Sequence, residues 1–210
     1  MSYFIYRSLR HTDIKRGSDL LFDAFMNNPY SWSACVGLPA DVLYTWLHDT
    51  YLTQQATESV LSMVVTTPDE SPIGICTVEN YYDPPPCNQP SSREMDELVD
   101  ACKALVRDHL STDLPQKLAY LSFIAVDKEY RRKGIADQII DRCTHQLHAL
   151  GYAVVAFCTS YRSRRLFEKH GYQTIGGISY QSFTMKDGSK PFLAMPQDEC
   201  SVLYLARPFV

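Results

Sequence analysis

Leu118–Val126 reads LAYLSFIAV, almost continuously apolar, and a short loop with three consecutive basic residues, Arg131-Arg132-Lys133, follows it. Gly134-Ile135-Ala136 then opens an amphipathic segment. So apolar a run, without alternation, predicts a central strand buried on both faces. Gly134–Leu150 places Ile135, Ile139, Cys143, Leu147 and Leu150 on one helical stripe and stops at Gly151, the pattern of a helix closed by a C-terminal glycine. A strand that turns through a tight loop into a helix leaves unpaired N–H groups and the positive end of the helix dipole at the strand's end. Phosphate binds at such places. Gly134 and the small Ala136 would let a ligand approach the backbone closely. Arg131, Arg132 and Lys133 add attraction for a polyanion, and an arginine can clamp phosphate with two bonds. On charge alone, an ordinary βα turn with a solvated basic loop fits equally well.

The rest of the chain predicts one mixed α/β unit without repeats or linkers. Tyr3–Leu9 reads as a first strand, and Thr12 as the cap of a helix through LLFDAFM that ends before Asn27-Asn28-Pro29. Pro39 opens a second helix with Leu43, Trp46, Leu47 and Tyr51 at helical spacing. Ser59–Thr67 and Ile73–Tyr82 read as an antiparallel hairpin across a PDESP turn. After the proline-rich loop Asp83–Ser92, REMDELVDACKALVRDHL carries Met95, Leu98, Val99, Cys102, Leu105 and Val106 on one helical face. Downstream of the basic loop, Tyr152–Thr159 reads as another buried strand and Arg162–His170 as a short helix ended by Gly171. Tyr172–Tyr180 and Ser201–Ala206 read as closing strands.

Composition narrows the function classes. With 210 residues, 45% hydrophobic and 21% charged, the chain has the make-up of one soluble globular domain over residues 1–210. A net charge of −4 argues against nucleic acid as the main partner. No run approaches the roughly 20 apolar residues of a membrane span, and the N-terminus lacks a secretory signal. Seven scattered cysteines without a CxxC pair read as reduced, mostly buried thiols in a cytoplasmic protein rather than as a zinc site. Neither GxGxxG nor GxxxxGK[ST] occurs, which weakens dinucleotide and ATP readings.

Val126–Ala136, VDKEYRRKGIA, resembles the pyrophosphate-binding motif of the GNAT N-acyltransferase superfamily, Arg/Gln-x-x-Gly-x-Gly/Ala, met by Arg131, Gly134 and Ala136. Ser163-Arg-Arg-Leu-Phe-Glu-Lys-His-Gly-Tyr172 resembles that superfamily's second segment, at a similar spacing from the first. Together the likeness covers about Leu118–Tyr180. It implies a single GNAT-like domain whose mixed sheet splays between two parallel strands, here Leu118–Val126 and Tyr152–Thr159. It also implies acetyl-coenzyme A as cosubstrate. Backbone groups of Ile124, Ala125 and Val126 would line the pantetheine, and Arg131, Arg132, Lys133, Gly134, Ile135 and Ala136 the pyrophosphate.

LLFDAFMNNPYSWSACVG is similar to the first-helix region of insect and nematode arylalkylamine N-acetyltransferases. Their catalytic glutamate falls on Asn28, and an amide is no base at neutral pH. Thr159, Ser160 and Ser163 keep hydroxyls where those enzymes carry catalytic serines. The superfamily's proton-donating tyrosine is Phe167, and a phenyl ring donates nothing. Ser163, one turn earlier, is the substitute donor, also placed beside the cofactor. Glu79 is the candidate base, directly or through a water, with Asp23 behind it. His48, His170, Tyr120 and Cys158 read as packing or surface residues. Tyr30, Trp32, Tyr81 and Tyr82 would wall the acceptor side, where stacking and cation–π attraction favour an aromatic or cationic amine. The expected activity is direct acetyl transfer to a primary amine, a small arylalkylamine first. The alternatives are a coenzyme A-binding module that has lost catalysis, or acetylation of polyamines or protein amines. Oligomeric state is left open.

Overall fold

The computed structural model describes residues 3–26, 36–58, 61–83, 93–110, 115–195 and 199–206. Chain order begins with β1 (Ile5–Ser8), α1 (Ile14–Met26) and α2 (Ala40–Thr45). A π-helical turn (Trp46–Leu52) continues α2 into α3 (Thr53–Glu58). Then come β2 (Met63–Thr66), β3 (Pro72–Asn80), α4 (Arg93–His109) and β4 (Leu118–Val126). The chain closes with α5 (Ile135–Ala149), β5 (Ala153–Cys158), α6 (Tyr161–Lys169), β6 (Gln173–Ser179) and β7 (Glu199–Leu205). One sheet of order β1-β2-β3-β4-β5-β7-β6 joins all seven strands, and its β4–β5 pair is parallel. This is a single α/β architecture with a mixed sheet flanked by helices.

Alternation along the strands sorts the core by face. Met63 and Val65 of β2 pack with α5, while Val64 between them packs with α1 and the π-turn. A third cluster joins Leu98, Cys102 and Val106 of α4 to Leu118, Val155 and Val202. The five described cysteines are free thiols and all buried; Cys35 and Cys87 lie outside the described residues. Among the described residues no helix is long and apolar enough to cross a membrane, and no group of three or more His, Cys, Asp or Glu could hold a metal ion.

Several local expectations are corrected. Thr12 does not cap α1. It sits in a 3-10 turn, His11–Asp13, fixed by buried Asp13, which accepts from the Arg10 N–H at 2.9 Å and pairs with Arg7. The second helix is α-helical only before Trp46 and after Leu52. Leu150 is the C-cap of α5 and 48% exposed, outside the core stripe. β4 is not covered on both faces along its length: Ser122, Phe123, Ile124 and Val126 are only partly buried. Their apolar character serves a cleft.

Candidate active site

The parallel pair opens the site. β4 and β5 are bonded from Leu118↔Ala153 to Leu121↔Ala156 and no further. Beyond that point β4 stays with β3 as far as Gly74↔Val126, and β5 stays with β7 as far as Cys158↔Ser201. The two inner edges therefore face each other across a gap, which widens into a cleft of about 1040 Å³. Backbone groups on such an edge need a partner.

A bulge in β4 decides which groups face the gap. The register of β3 against β4 shifts between Thr77↔Phe123 and Val78↔Leu121, leaving Ser122 as the extra residue. One extra residue reverses the alternation downstream. Ala119 and Leu121 pack with α5 before the bulge, and Ile124 and Val126 do so after it; Phe123 and Ala125 turn to the α1 side. Past the strand's end, the Asp127 N–H donates to Ile73 O on β3 at 2.9 Å. The peptide groups of Val126 and Ile124 accordingly point away from β3, into the gap. Arg131 Nε donates to Val126 O at 3.0 Å and holds the following loop against the strand.

The loop and the head of α5 form one end of the cleft. Arg132 and Gly134 both adopt left-handed backbone, with φ of 63° and 76°. Such alternation turns successive N–H groups to one side, making a concavity for anions. A Cβ at Gly134 would meet nothing within 4 Å, so the glycine is required by its φ and not by crowding. These residues fit a pyrophosphate. Arg131, Arg132, Gly134, Ile135 and Ala136 line the cleft, as do Ile124, Ala125 and Val126. Lys133 does not; its ammonium lies over the Tyr130 ring, 4.5 Å from the centroid. Asp137, one residue further in, would repel phosphate if unpaired. Lys169 bonds it directly, His170 Nε2 lies 3.4 Å away, and the Lys169 bond holds its carboxyl below the usual range.

Thr159, Ser160 and Ser163 come together at the end of β5 and the start of α6, all on the cleft wall. Ser160 and Ser163 form a reciprocal cap: the Ser163 N–H donates to Ser160 Oγ at 3.1 Å, and the Ser160 N–H to Ser163 Oγ at 3.2 Å. Ser163 Oγ donates to Ser160 O at 2.8 Å. The carbonyl of Thr159 accepts from the Tyr180 hydroxyl at 3.4 Å. Phe167 is buried, its ring edge-on to Tyr172 at 4.9 Å. Burial pushes the Cys158 thiol up to about 12, with Ser163 pulling weakly the other way. A thiol so placed stays protonated and is no nucleophile at neutral pH.

The other end of the cleft is aromatic and acidic. Phe25, Trp46 and Tyr51 surround Phe123 at centroid distances of 5.1, 6.4 and 5.3 Å. Half-buried Glu79 lines this end, and its Oε1 accepts from the Tyr51 hydroxyl at 2.6 Å. Asp96, Asp100 and Lys103 of α4 stand at the rim. Of the expected aromatic wall, Tyr81 lines the cleft, whereas Tyr82 is 48% exposed and donates to Pro115 O at 2.9 Å, off the cleft. Tyr30, Trp32 and Asn28 lie outside the described residues. Asp23 is exposed, and neither it nor His48 lines the cleft. Sequence reasoning took Tyr51 for core packing and gave no signal for Ser122 or Phe123 as site residues; their roles depend on the bulge and the π-turn.

Residues 92–174 match the family model of the acetyltransferase (GNAT) domain. Over that stretch, which includes β4, the basic loop, α5, β5 and α6, the chain is similar to a GNAT acetyltransferase domain. Solved structures share the fold across nearly the whole chain. The C-terminal condensation domain of Ebony, in complex with β-alanyl-dopamine, superimposes with a TM-score of 0.82 at 18% identity, over 97% of this chain and 99% of that one. Mosquito arylalkylamine N-acetyltransferase-like 5b gives 0.70 at 15% identity, over 96% and 99%. The Drosophila melanogaster polyamine N-acetyltransferase gives 0.65 at 13%, over 97% and 100%.

Proposed function

We propose that this GNAT domain transfers the acetyl group of acetyl-coenzyme A directly to a small primary amine, an arylalkylamine in the first instance. The carrying observation is that one cleft joins an anion-binding helix start to a carboxylate set among aromatic rings. At the first end, the Arg131–Ala136 amides would hold the pyrophosphate and the inward peptide groups of Ile124 and Val126 the pantetheine arm. The Val126 N–H would then stabilise the developing oxyanion as a preorganised dipole. At the second end, the rings around Phe123 would stack an aromatic or cationic amine. Glu79 would take its proton, directly or through a water. Ser163 would return a proton to the departing thiolate, Thr159 lying beside it as an auxiliary hydroxyl. Direct attack suits a cleft whose thiol, Cys158, is protonated. Similarity to domains whose names carry arylalkylamines and β-alanyl-dopamine supports the choice of amine.

The test is Glu79→Gln. A general base contributes roughly 10²–10⁴-fold, so kcat should fall by about that much while acetyl-coenzyme A affinity holds. Wild-type kcat in the variant would remove Glu79 from the chemistry.

A further inference from the structure

Tyr51 sits where only the π-turn can put it. In an α-helix, residues five apart point about 140° from each other. Bonding from i to i+5 brings them onto one face, and π-turns recur at functional sites. Trp46 and Tyr51 are five apart, and their rings lie 4.8 Å centroid to centroid. With Trp46 as its floor and Phe123 edge-on at 5.3 Å, the Tyr51 ring is clamped, 2% exposed.

Its hydroxyl meets three polar groups: Glu79 Oε1 at 2.6 Å, Ser122 Oγ at 2.7 Å and Thr77 Oγ1 at 3.0 Å. A phenol carries one proton, and the carboxylate is the strongest acceptor of the three. Thr77 Oγ1 already accepts the Phe123 N–H at 3.2 Å and lies 2.9 Å from Ser122 Oγ, which can also donate to Thr77 O at 3.3 Å. Each small hydroxyl carries one proton; with the phenol's own proton given to Glu79, Thr77 Oγ1 can turn its proton to the phenol oxygen, and Ser122 can do so in place of its bond to Thr77 O. Burial, with the adjacent Glu79 charge, pushes the Tyr51 phenol well above its ordinary value, so it remains a donor. Ser122 enters this network because it is the bulged residue.

We infer that Tyr51 is a positioning residue: delivered by the π-turn and backed by Ser122 and Thr77, its O–H fixes the orientation of the Glu79 carboxylate in the cleft. The inference rests on Glu79 acting as the base. A carboxylate held by one short bond keeps its other oxygen for the amine or its water, and freeing it would scatter the base over several rotamers. Misplacement by about 1 Å can cost a hundredfold in rate.

A double-mutant cycle decides the matter. Tyr51→Phe keeps the ring and removes the O–H. It should lower kcat by about 10- to 100-fold with the amine KM and acetyl-coenzyme A affinity within about twofold of wild type. On a Glu79→Gln background the same change should cost less than about twofold, because its effect runs through the carboxylate. An equal loss on both backgrounds, or none on the native one, would overturn the inference. A Glu79→Gln variant with wild-type kcat would instead remove the base itself, and the inference with it. If Tyr51→Phe does not fold, Ser122→Ala removes the phenol's 2.7 Å partner and carries the same cycle, with a drop of about threefold to tenfold expected and its absence contradicting the role.

Discussion

The two ends of the cleft are built in opposite ways. The end with the basic loop comes from one continuous stretch, the last part of β4 through that loop into α5, with α6 nearby. The aromatic and acidic end is assembled from α1, the π-turn, β3, α4 and the Ser122–Phe123 bulge of β4, segments far apart in the chain. Contiguous sites leave a local imprint: a glycine at a left-handed turn, an arginine three residues before it, a small residue two after. Assembled sites leave none, since each contributor looks like ordinary core until the fold brings it to the others.

The sharpest way to break this contrast is at Gly134, on the contiguous side. An aspartate there must accept a φ of 76° and would place a carboxylate in the phosphate space. Two negative charges about 4 Å apart repel by about 4 kcal/mol at an effective dielectric constant of 20. Gly134→Asp should weaken acetyl-coenzyme A by at least about 100-fold in a calorimetric titration, while the strain at that φ, about 1–2 kcal/mol, lowers the melting temperature without preventing folding. Unchanged affinity in the folded variant would remove the cofactor site.

Ser163, on the cleft wall in the first turn of α6, gives an intermediate effect. As proton donor it would be missed in kcat, by about 10-fold or more if no water replaces it. As the reciprocal partner of Ser160 it would be missed in stability, by about 1 kcal/mol. Ser163→Ala removes the acceptor of the Ser160 N–H and the donor to Ser160 O, so a stability loss is expected beside any loss of rate. Measuring kcat and melting temperature of Ser163→Ala together separates the roles: a less stable but fully active variant would leave the cap alone.

The smallest effect lies at Asp137, which Lys169 ties to α6 across the end with the basic loop. The carboxyl is held below its ordinary value in the folded state. Its contribution is therefore present above the unfolded value of about 4 and is lost as pH falls through the folded one. Both groups are partly exposed, so at most about 1 kcal/mol is at stake. Lys169→Ala should lower the melting temperature at pH 7 and make no difference near pH 2. A deficit that persists in acid would assign the loss to packing.

The same contrast explains what was legible in the sequence. The apolar run of β4, the α5 stripe with Gly134 and Gly151 at its ends, and the β2–β3 hairpin are encoded locally, and the structure has them. The resemblance implies Ile124, Val126, Arg131, Gly134 and Ala136 beside the cofactor, and all five line the cleft. Lys133 enters the expected pyrophosphate site by its charge and by the resemblance; its ammonium lies over the Tyr130 ring. Tyr51 fits an α-helical stripe as core, and only a π-turn, which no residue pattern announces, turns its hydroxyl to Glu79. The Ser122 bulge is equally silent: LAYLSFIAV reads the same with or without a shift of register.

Steady-state thiol release by the wild-type chain, with acetyl-coenzyme A and a panel of arylalkylamines, polyamines and peptides, tests the joined cleft most directly. Coenzyme A should be released only when an amine is present, fastest with an arylalkylamine, and the initial-velocity lines should intersect as a ternary complex requires. Tight binding of acetyl-coenzyme A with no release above background for any amine would contradict it and leave a coenzyme A-binding module.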